Sequence, residues 1–250
     1  MEKYKLIICV YACDKIPKYI SEIETINKTW GKLCKADIKL LYFLGEEINP
    51  NFTGDQYINL PHVLDDYASA SYKQFEGLKY ISENYTTEFV ICCGTDTYLN
   101  IPKLSLYLNR FDPNENLYIG GHGDVIQIGN KQCYYHTGGP GFILTQKCLQ
   151  KLSPLLNTLM TDWLNICNTH NLNLHSACDV AISYFLQQEN INTTIVKTND
   201  LSFTHCNYLG WPCHQGYVES HQIISCHMMS HTDFYEFTRL LEANNYYLFI

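Results

Sequence analysis

The chain has 250 residues, 46% of them hydrophobic and 14% aromatic, enough apolar surface to bury one sizeable core and too much for a disordered chain. A formal net charge of −8 argues against a surface built to hold a polyanion, so no nucleic-acid partner is expected. No apolar run reaches the length of a membrane span, and the opening "MEKYKLIICVYAC" enters a strand-length stretch without a signal-peptide cleavage pattern.

"KLIICVYA" at Lys5 to Ala12 reads as a strand, and Ile20, Ile23, Ile26 and Trp30 then recur at helical spacing. "IKLLYFLG" is a second strand, ending at Gly45. In "DDYASASYKQFEGLKYISENY" the residues Tyr72, Phe75, Leu78 and Ile81 fall on one helical face. "FVICC" at Phe89 to Cys93 is a buried central strand stopped by Gly94, and this alternation of strands and helices points to a mostly parallel sheet. A helix begins at Pro102, "LYIGG" is a strand, and "VIQIGNKQCYY" is a hairpin turning at Gly129-Asn130, which makes the expected sheet mixed. From Thr145 to Cys167 the pattern is helical with a break at Pro154, and another helix runs from Cys178 to about Gln188. The last fifty residues read as irregular and are rich in His and Cys. There is no internal repeat or Pro/Gly-rich linker, so residues 1–250 are taken as a single domain.

Of the 12 cysteines, Cys9, Cys92 and Cys93 fall in apolar strands, where a free thiol behaves as a small buried hydrophobe. Reduced thiols and the lack of a leader or membrane anchor in these residues lead to an expected cytoplasmic location. Four Asn-x-Thr sequons, at Asn27, Asn51, Asn84 and Asn192, keep a secretory lumen open if the sequence is a piece of a longer one.

Four constellations bear on chemistry. Asp96 follows the central strand, where ligands of open α/β sheets are held, and there it is either a ligand to a hard cation or a turn and cap residue of the helix at Pro102. "HTGGPGFIL" at His136 to Leu144 has glycines that let the backbone approach a ligand, in a spacing that matches neither a P-loop nor a dinucleotide fingerprint. Asp179 opens a helix, a position that favours a carboxylate for structural reasons and that also suits a general base if it faces a pocket. His205, Cys206, Cys213, His214, Cys226 and His227 contain no Cys pair with the spacing of a zinc ribbon or finger. A single imidazole from this set acting with Asp96 on one metal is the sharper reading.

Six blocks then stand in a fixed order: "INKTW" at Ile26 to Trp30, "DDYASASYKQFEGLKYI", "FVICCGTDTYLN", "YHTGGPGFILTQKCLQKL", "CDVAISYFL" and "IISCHMMSHTDFYEFTRLL". Together they resemble the Fringe and β1,3-galactosyltransferase group of glycosyltransferases, core 1 β1,3-galactosyltransferase-like. The resemblance implies a GT-A fold, a Rossmann-like α/β sandwich with a mixed, mostly parallel sheet. It also implies a UDP-sugar donor with Mn2+ or another divalent cation, a glycan or glycoprotein acceptor, and inverting transfer of a hexose or N-acetylhexosamine to form a β1,3 linkage. By position it makes Asp96 and His227 the metal ligands and Asp179 the catalytic base. Lys73, Thr95, Asp66 and Thr29 fall to the donor side, and Gly138, Gly139 and Trp211 to the sugar and acceptor loops. Gly94 and Thr95 stand where the group carries the first two acids of a triplet, Cys178 where it carries an acid, Asn27 where it carries an arginine and Ser183 where it carries a glycine. The lost acids leave a second reading open, a sugar- or nucleotide-binding module without catalysis.

Overall fold

The computed structural model describes residues 1–46, 49–66, 69–121, 123–198, 202–205, 223–227 and 229–243. Alternation along β1 (Glu2–Tyr11) supplies two cores at once, because successive side chains of a strand point to opposite faces. Leu6, Ile8 and Val10 enter one core, and Ile7 and Cys9 enter the other. β4 (Tyr85–Cys93) does the same, with Phe89, Ile91 and Cys93 on the first side and Val90 and Cys92 on the second. Both strands are therefore sandwiched, as their unbroken apolar runs require.

The first core is closed by α1 (Pro17–Lys28), α3 (Ile101–Leu108) and α7 (His231–Ala243), and the second by α2 (Ala70–Asn84), α4 (Gln146–Leu152), α5 (Leu159–Thr169) and α6 (Cys178–Leu186). The seven-stranded sheet between them has the order β10-β6-β9-β4-β1-β2-β3. Its remaining strands are β2 (Ile38–Leu44), β3 (Tyr57–Asn59), β6 (Leu117–Gly120), β9 (Phe142–Thr145) and β10 (Thr194–Lys197). β9 is antiparallel to both its neighbours, β4 and β6, while the other pairs are parallel.

The expected mixed sheet is present, but for another reason. The hairpin β7 (Gly123–Ile128) and β8 (Lys131–His136) forms its own two-stranded sheet, and the reversed strand is β9. The hairpin turn lies where the sequence put it, with positive φ at Gly129 and not at Asn130, the pattern of a II′ turn. Tyr72 departs from the expected buried face of α2: it is 38% exposed, whereas Phe75, Leu78 and Ile81 are buried as expected. Lys73 turns inward beside it, drawn to a buried carboxylate described below.

The last part of the chain is more regular than its composition implies. α7 packs on β5 (Tyr98–Leu99), where the Tyr98 ring meets Phe234 and Phe237 edge-on, and its hydroxyl shares a 3.0 Å hydrogen bond with Thr238. β12 (Ser225–His227) pairs antiparallel with β5 and parallel with β11 (Phe203–His205).

His136, at the end of β8, is fully buried between Tyr118 and Tyr134, with ring centroids 4.6 and 5.2 Å away. Gly120 makes room for it: a Cβ there would fall 2.5 Å from the imidazole Cγ. Its Nδ1 lies 3.2 Å from the Gly121 carbonyl oxygen, which can only accept, so Nδ1 carries the proton. Burial lowers its pKa to about 4, and the ring is neutral in the folded protein.

Candidate active site

A cleft of about 560 Å³ opens at the carboxyl ends of β1 and β4, the edge at which open α/β sheets bind ligands. Asp96, His227, Asp179, Lys73, Thr95, Asp66, Gly138 and Gly139 all border it. Thr29 does not. It is buried at the end of α1, and its hydroxyl donates to the Thr25 carbonyl at 2.7 Å, so the threonine of "INKTW" closes a helix instead of touching a donor. Trp211, Cys206, Cys213 and His214 lie outside the described residues. Cys226 is buried in the first apolar core, away from any role in a zinc cluster.

Asp96 follows β4 in a tight turn. The cap of α3 is Asn100, whose side chain accepts from the Lys103 N–H at 3.2 Å, so the cap reading of Asp96 falls. Pairing of β12 with β5 carries His227 to the same turn, and the Met229 N–H donates to the Asp96 carbonyl at 3.2 Å. His227 Nε2 then lies 3.3 Å from Asp96 Oδ1, with 20% and 30% of the two side chains exposed. Burial alone would raise the Asp96 carboxyl, but the hydrogen bond and charge of His227 outweigh it and the net shift is downward. Among the described residues no group of three His, Cys, Asp or Glu side chains converges on a metal position.

The loop before β9 joins the two ends of the cleft. Gly138 donates its N–H to Asp179 Oδ2 at 2.8 Å, and a Cβ on Gly138 would fall 3.0 Å from the Asp179 Cβ. A Cβ on the next residue, Gly139, would fall 2.2 Å from His227 Nδ1. Thr97 holds the loop from below by donating to the Gly139 carbonyl at 2.8 Å, and the Ser225 hydroxyl holds the Pro140 carbonyl. Asp179 Oδ1 accepts from the Val180 N–H at 2.9 Å in the first turn of α6, which fixes the carboxylate and leaves lone pairs toward the cleft.

Lys73 backs the cleft without being free to bind through charge. Its ammonium is paired with Asp65 and donates to the Ala12 carbonyl at 2.7 Å, with 3% and 4% of the paired side chains exposed. Asp65 also accepts from the Gly45 and Asp14 N–H groups at 3.2 and 3.1 Å. Burial by itself would raise the Asp65 carboxyl, and hydrogen bonds from Lys73 and Asp14 bring it below its usual range. Its neighbour Asp66 is exposed at the rim and accepts from the Ser69 N–H at 2.8 Å. The Thr95 hydroxyl is given to the buried carboxylate of Glu22 in α1, which Lys18 also approaches at 3.6 Å. Asp65, Glu22, Lys18 and Tyr11 are the residues of this region that the sequence did not single out. The first two face inward and carry no spacing signal, whereas Lys18 and Tyr11 border the cleft at the ends of α1 and β1.

Residues 1–232 match the family model described as Fringe-like. The chain belongs to the Fringe-like family. This Fringe-like chain is 30% identical over 80 residues to human chondroitin sulfate glucuronyltransferase, a match spanning 29% of this chain and 10% of that protein. Among solved structures, it is similar to the glycosyltransferase GlyE of Streptococcus pneumoniae TIGR4, with a TM-score of 0.52 and 13% identity, over 97% of this chain and 63% of that one. A glycosyltransferase involved in glycosylation of the major capsid of PBCV-1 is also similar, with a TM-score of 0.49 and 14% identity, over 94% of this chain and 98% of that one. The fold is GT-A, and the Fringe-like membership supports glycosyl transfer as the activity. No helix among the described residues is long and apolar enough to cross a membrane.

Proposed function

We propose that this Fringe-like chain transfers a hexose or N-acetylhexosamine from a UDP-sugar to a hydroxyl of a glycan or glycoprotein, with inversion and a β1,3 linkage. The observation that carries the reading is that Asp179 and the Asp96–His227 pair close around two adjacent glycines in one cleft. On this reading the base and the cation-binding pair border the same cleft, on either side of the glycine loop.

The pair fits a divalent cation such as Mn2+. It offers one carboxylate oxygen and one imidazole nitrogen, 3.3 Å apart and open to the cleft, a donor set that suits Mn2+ and leaves places for phosphate oxygens. When bound there, the ion supplies Lewis acidity and offsets the charge of the departing UDP. Asp96 and His227 hold that end of the donor, and Gly138 and Gly139 make room for the Asp179 and His227 side chains beside it. At the other end Asp179 takes the proton of the acceptor hydroxyl as its oxygen bonds to the anomeric carbon. The bond from that carbon to the β-phosphate oxygen breaks on the opposite face, its electron pair leaves with UDP, and the configuration inverts. The Gly138 and Val180 N–H groups keep the Asp179 carboxylate aimed throughout. Lys73 acts as a brace through Asp65.

The test is turnover of a panel of UDP-sugars with Mn2+, repeated with chelator and with Asp179→Asn. One donor should be turned over, chelator should stop it, and the variant should lose roughly 10²- to 10⁴-fold in rate while still binding UDP. A variant as fast as the parent would remove Asp179 from the mechanism. UDP binding without turnover of any donor would favour the non-catalytic binding module.

A further inference from the structure

Tyr11 ends β1 and is half-buried in the floor of the cleft. Its hydroxyl lies 3.5 Å from the carbonyl oxygen of Gly138, the residue whose N–H is held by Asp179. On the other side, a Cβ at Gly94 would stand 3.7 Å from the Tyr11 ring, 4.0 Å from its hydroxyl oxygen and 3.2 Å from Asp96 Oδ1. The phenol is thus one residue removed from the base and one residue removed from the cation-binding pair. Burial, with the charges of Asp179 and Asp96 among its neighbours, holds the phenol well above its ordinary pKa, so it stays a neutral O–H donor.

Other polar groups around this point are already engaged. The Gly138 N–H is given to Asp179, the Thr95 hydroxyl to Glu22, and the Lys73 ammonium to Asp65 and the Ala12 carbonyl. The 3.5 Å approach of Tyr11 to Gly138 is at the outer limit of a hydrogen bond and is readily exchanged for a better acceptor. A Cβ at position 94 would lie in van der Waals contact with the phenol, and the glycine leaves that side of the ring without a neighbouring side chain from this position.

Resting on the reading of the cleft as a UDP-sugar site, we propose that Tyr11 reads the transferred sugar, its phenolic O–H donating to an oxygen of the hexose. The transferred ring links a diphosphate at Asp96 and His227 to an attacking oxygen at Asp179, and so lies over whatever stands between them. Gly94 and Tyr11 form one arrangement: where the resemblance leads one to expect an acid on the strand end, this chain has a cleft-lining phenol on the neighbouring strand.

The experiment compares the parent with Tyr11→Phe, measuring affinity for UDP and for UDP-glucose, UDP-galactose, UDP-N-acetylglucosamine and UDP-glucuronic acid, with Mn2+ present. UDP should bind the two proteins within about twofold, and the preferred donor should bind the variant roughly 3- to 10-fold more weakly, the loss of one net hydrogen bond. The ranking of donors should flatten, and Tyr11→His, which restores a ring donor, should recover part of the difference. Because UDP affinity is read on the same sample, a folding defect shows as an equal loss on every ligand. An equal loss, or no loss on any donor, would overturn the role of Tyr11 and leave the cleft reading standing. Failure of the parent to bind UDP or any of the four donors would overturn both.

Discussion

A methyl group on Gly139 would stand 2.2 Å from Nδ1 of His227, closer than any real contact. The glycine is needed there because a histidine ring occupies the space, and the ring is there because β12 pairs with β5. Gly139→Ala should therefore push His227 out of reach of Asp96 with little change in the buried core. Mn2+ affinity, followed by the electron paramagnetic resonance of the free ion, should fall roughly 10- to 100-fold, as when a metal ligand loses its orientation. Unchanged affinity would take His227 out of the cation site.

Asn100 and Asp96 separate capping from ligand binding. Asn100→Ala should cost about 1 kcal/mol through the lost cap, lowering the melting temperature by about 2–4 °C while turnover holds. Asp96→Asn should abolish Mn2+-dependent turnover. Thermal melts and donor turnover on both variants check the contrast, and a crossed result would return Asp96 to a turn role.

The buried Lys73–Asp65 pair makes a prediction about stability. Lys73→Met leaves a carboxylate without its cation and should cost about 3–5 kcal/mol in urea unfolding. The double variant Lys73→Met with Asp65→Asn should recover part of that. Because the Asp65 carboxyl is held below its unfolded value, its contribution is full above about pH 4 and is lost as pH falls through the folded value. The acid limb of the parent should be the steeper one.

His136 acts at a higher pH. Its folded value of about 4 lies below the unfolded value of 6.5, so the unfolded chain takes up a proton that the folded chain refuses. Stability is full above about pH 6.5 and falls as pH drops toward 4, by about 2 kcal/mol between pH 7 and pH 5 from this group. Urea melts at the two pH values should show that slope in the parent and a smaller one in His136→Phe.

The main sheet was legible because its strands are buried on both faces and written as unbroken apolar runs; β1, β2 and β4 fall within a few residues of their expected positions. Strand direction carries no such mark, and the reversal of β9 is set by packing between β4 and β6. α7 was legible in principle. Phe234, Phe237, Leu240 and Leu241 recur on one face, and Ser230 and Asp233 form a reciprocal cap, with hydrogen bonds of 2.8 and 3.3 Å. The density of His and Cys drew attention from that signal.

At the site, the sequence named Asp96, Asp179, His227 and the two glycines, because each sits in an ordered block. On the donor side it named Asp66, which borders the cleft, and passed over Asp65. Asp65 and Asp66 are adjacent and chemically identical, and only the folded chain shows that Asp65 holds Lys73 while Asp66 stays at the rim. Tyr11 went unremarked because an aromatic at the end of a strand is indistinguishable from core until the cleft is seen.

The seven-stranded sheet is complete by Lys197, whereas His227 and the helix that covers the first core come later in the chain. During synthesis the sheet can close while the ribosome still holds the segment that supplies His227. That segment also brings Ile223, Ile224, Phe234 and Phe237, which seal the same face. A copy broken off before it lacks both the histidine and the seal, and its bare apolar face is a surface prone to aggregation.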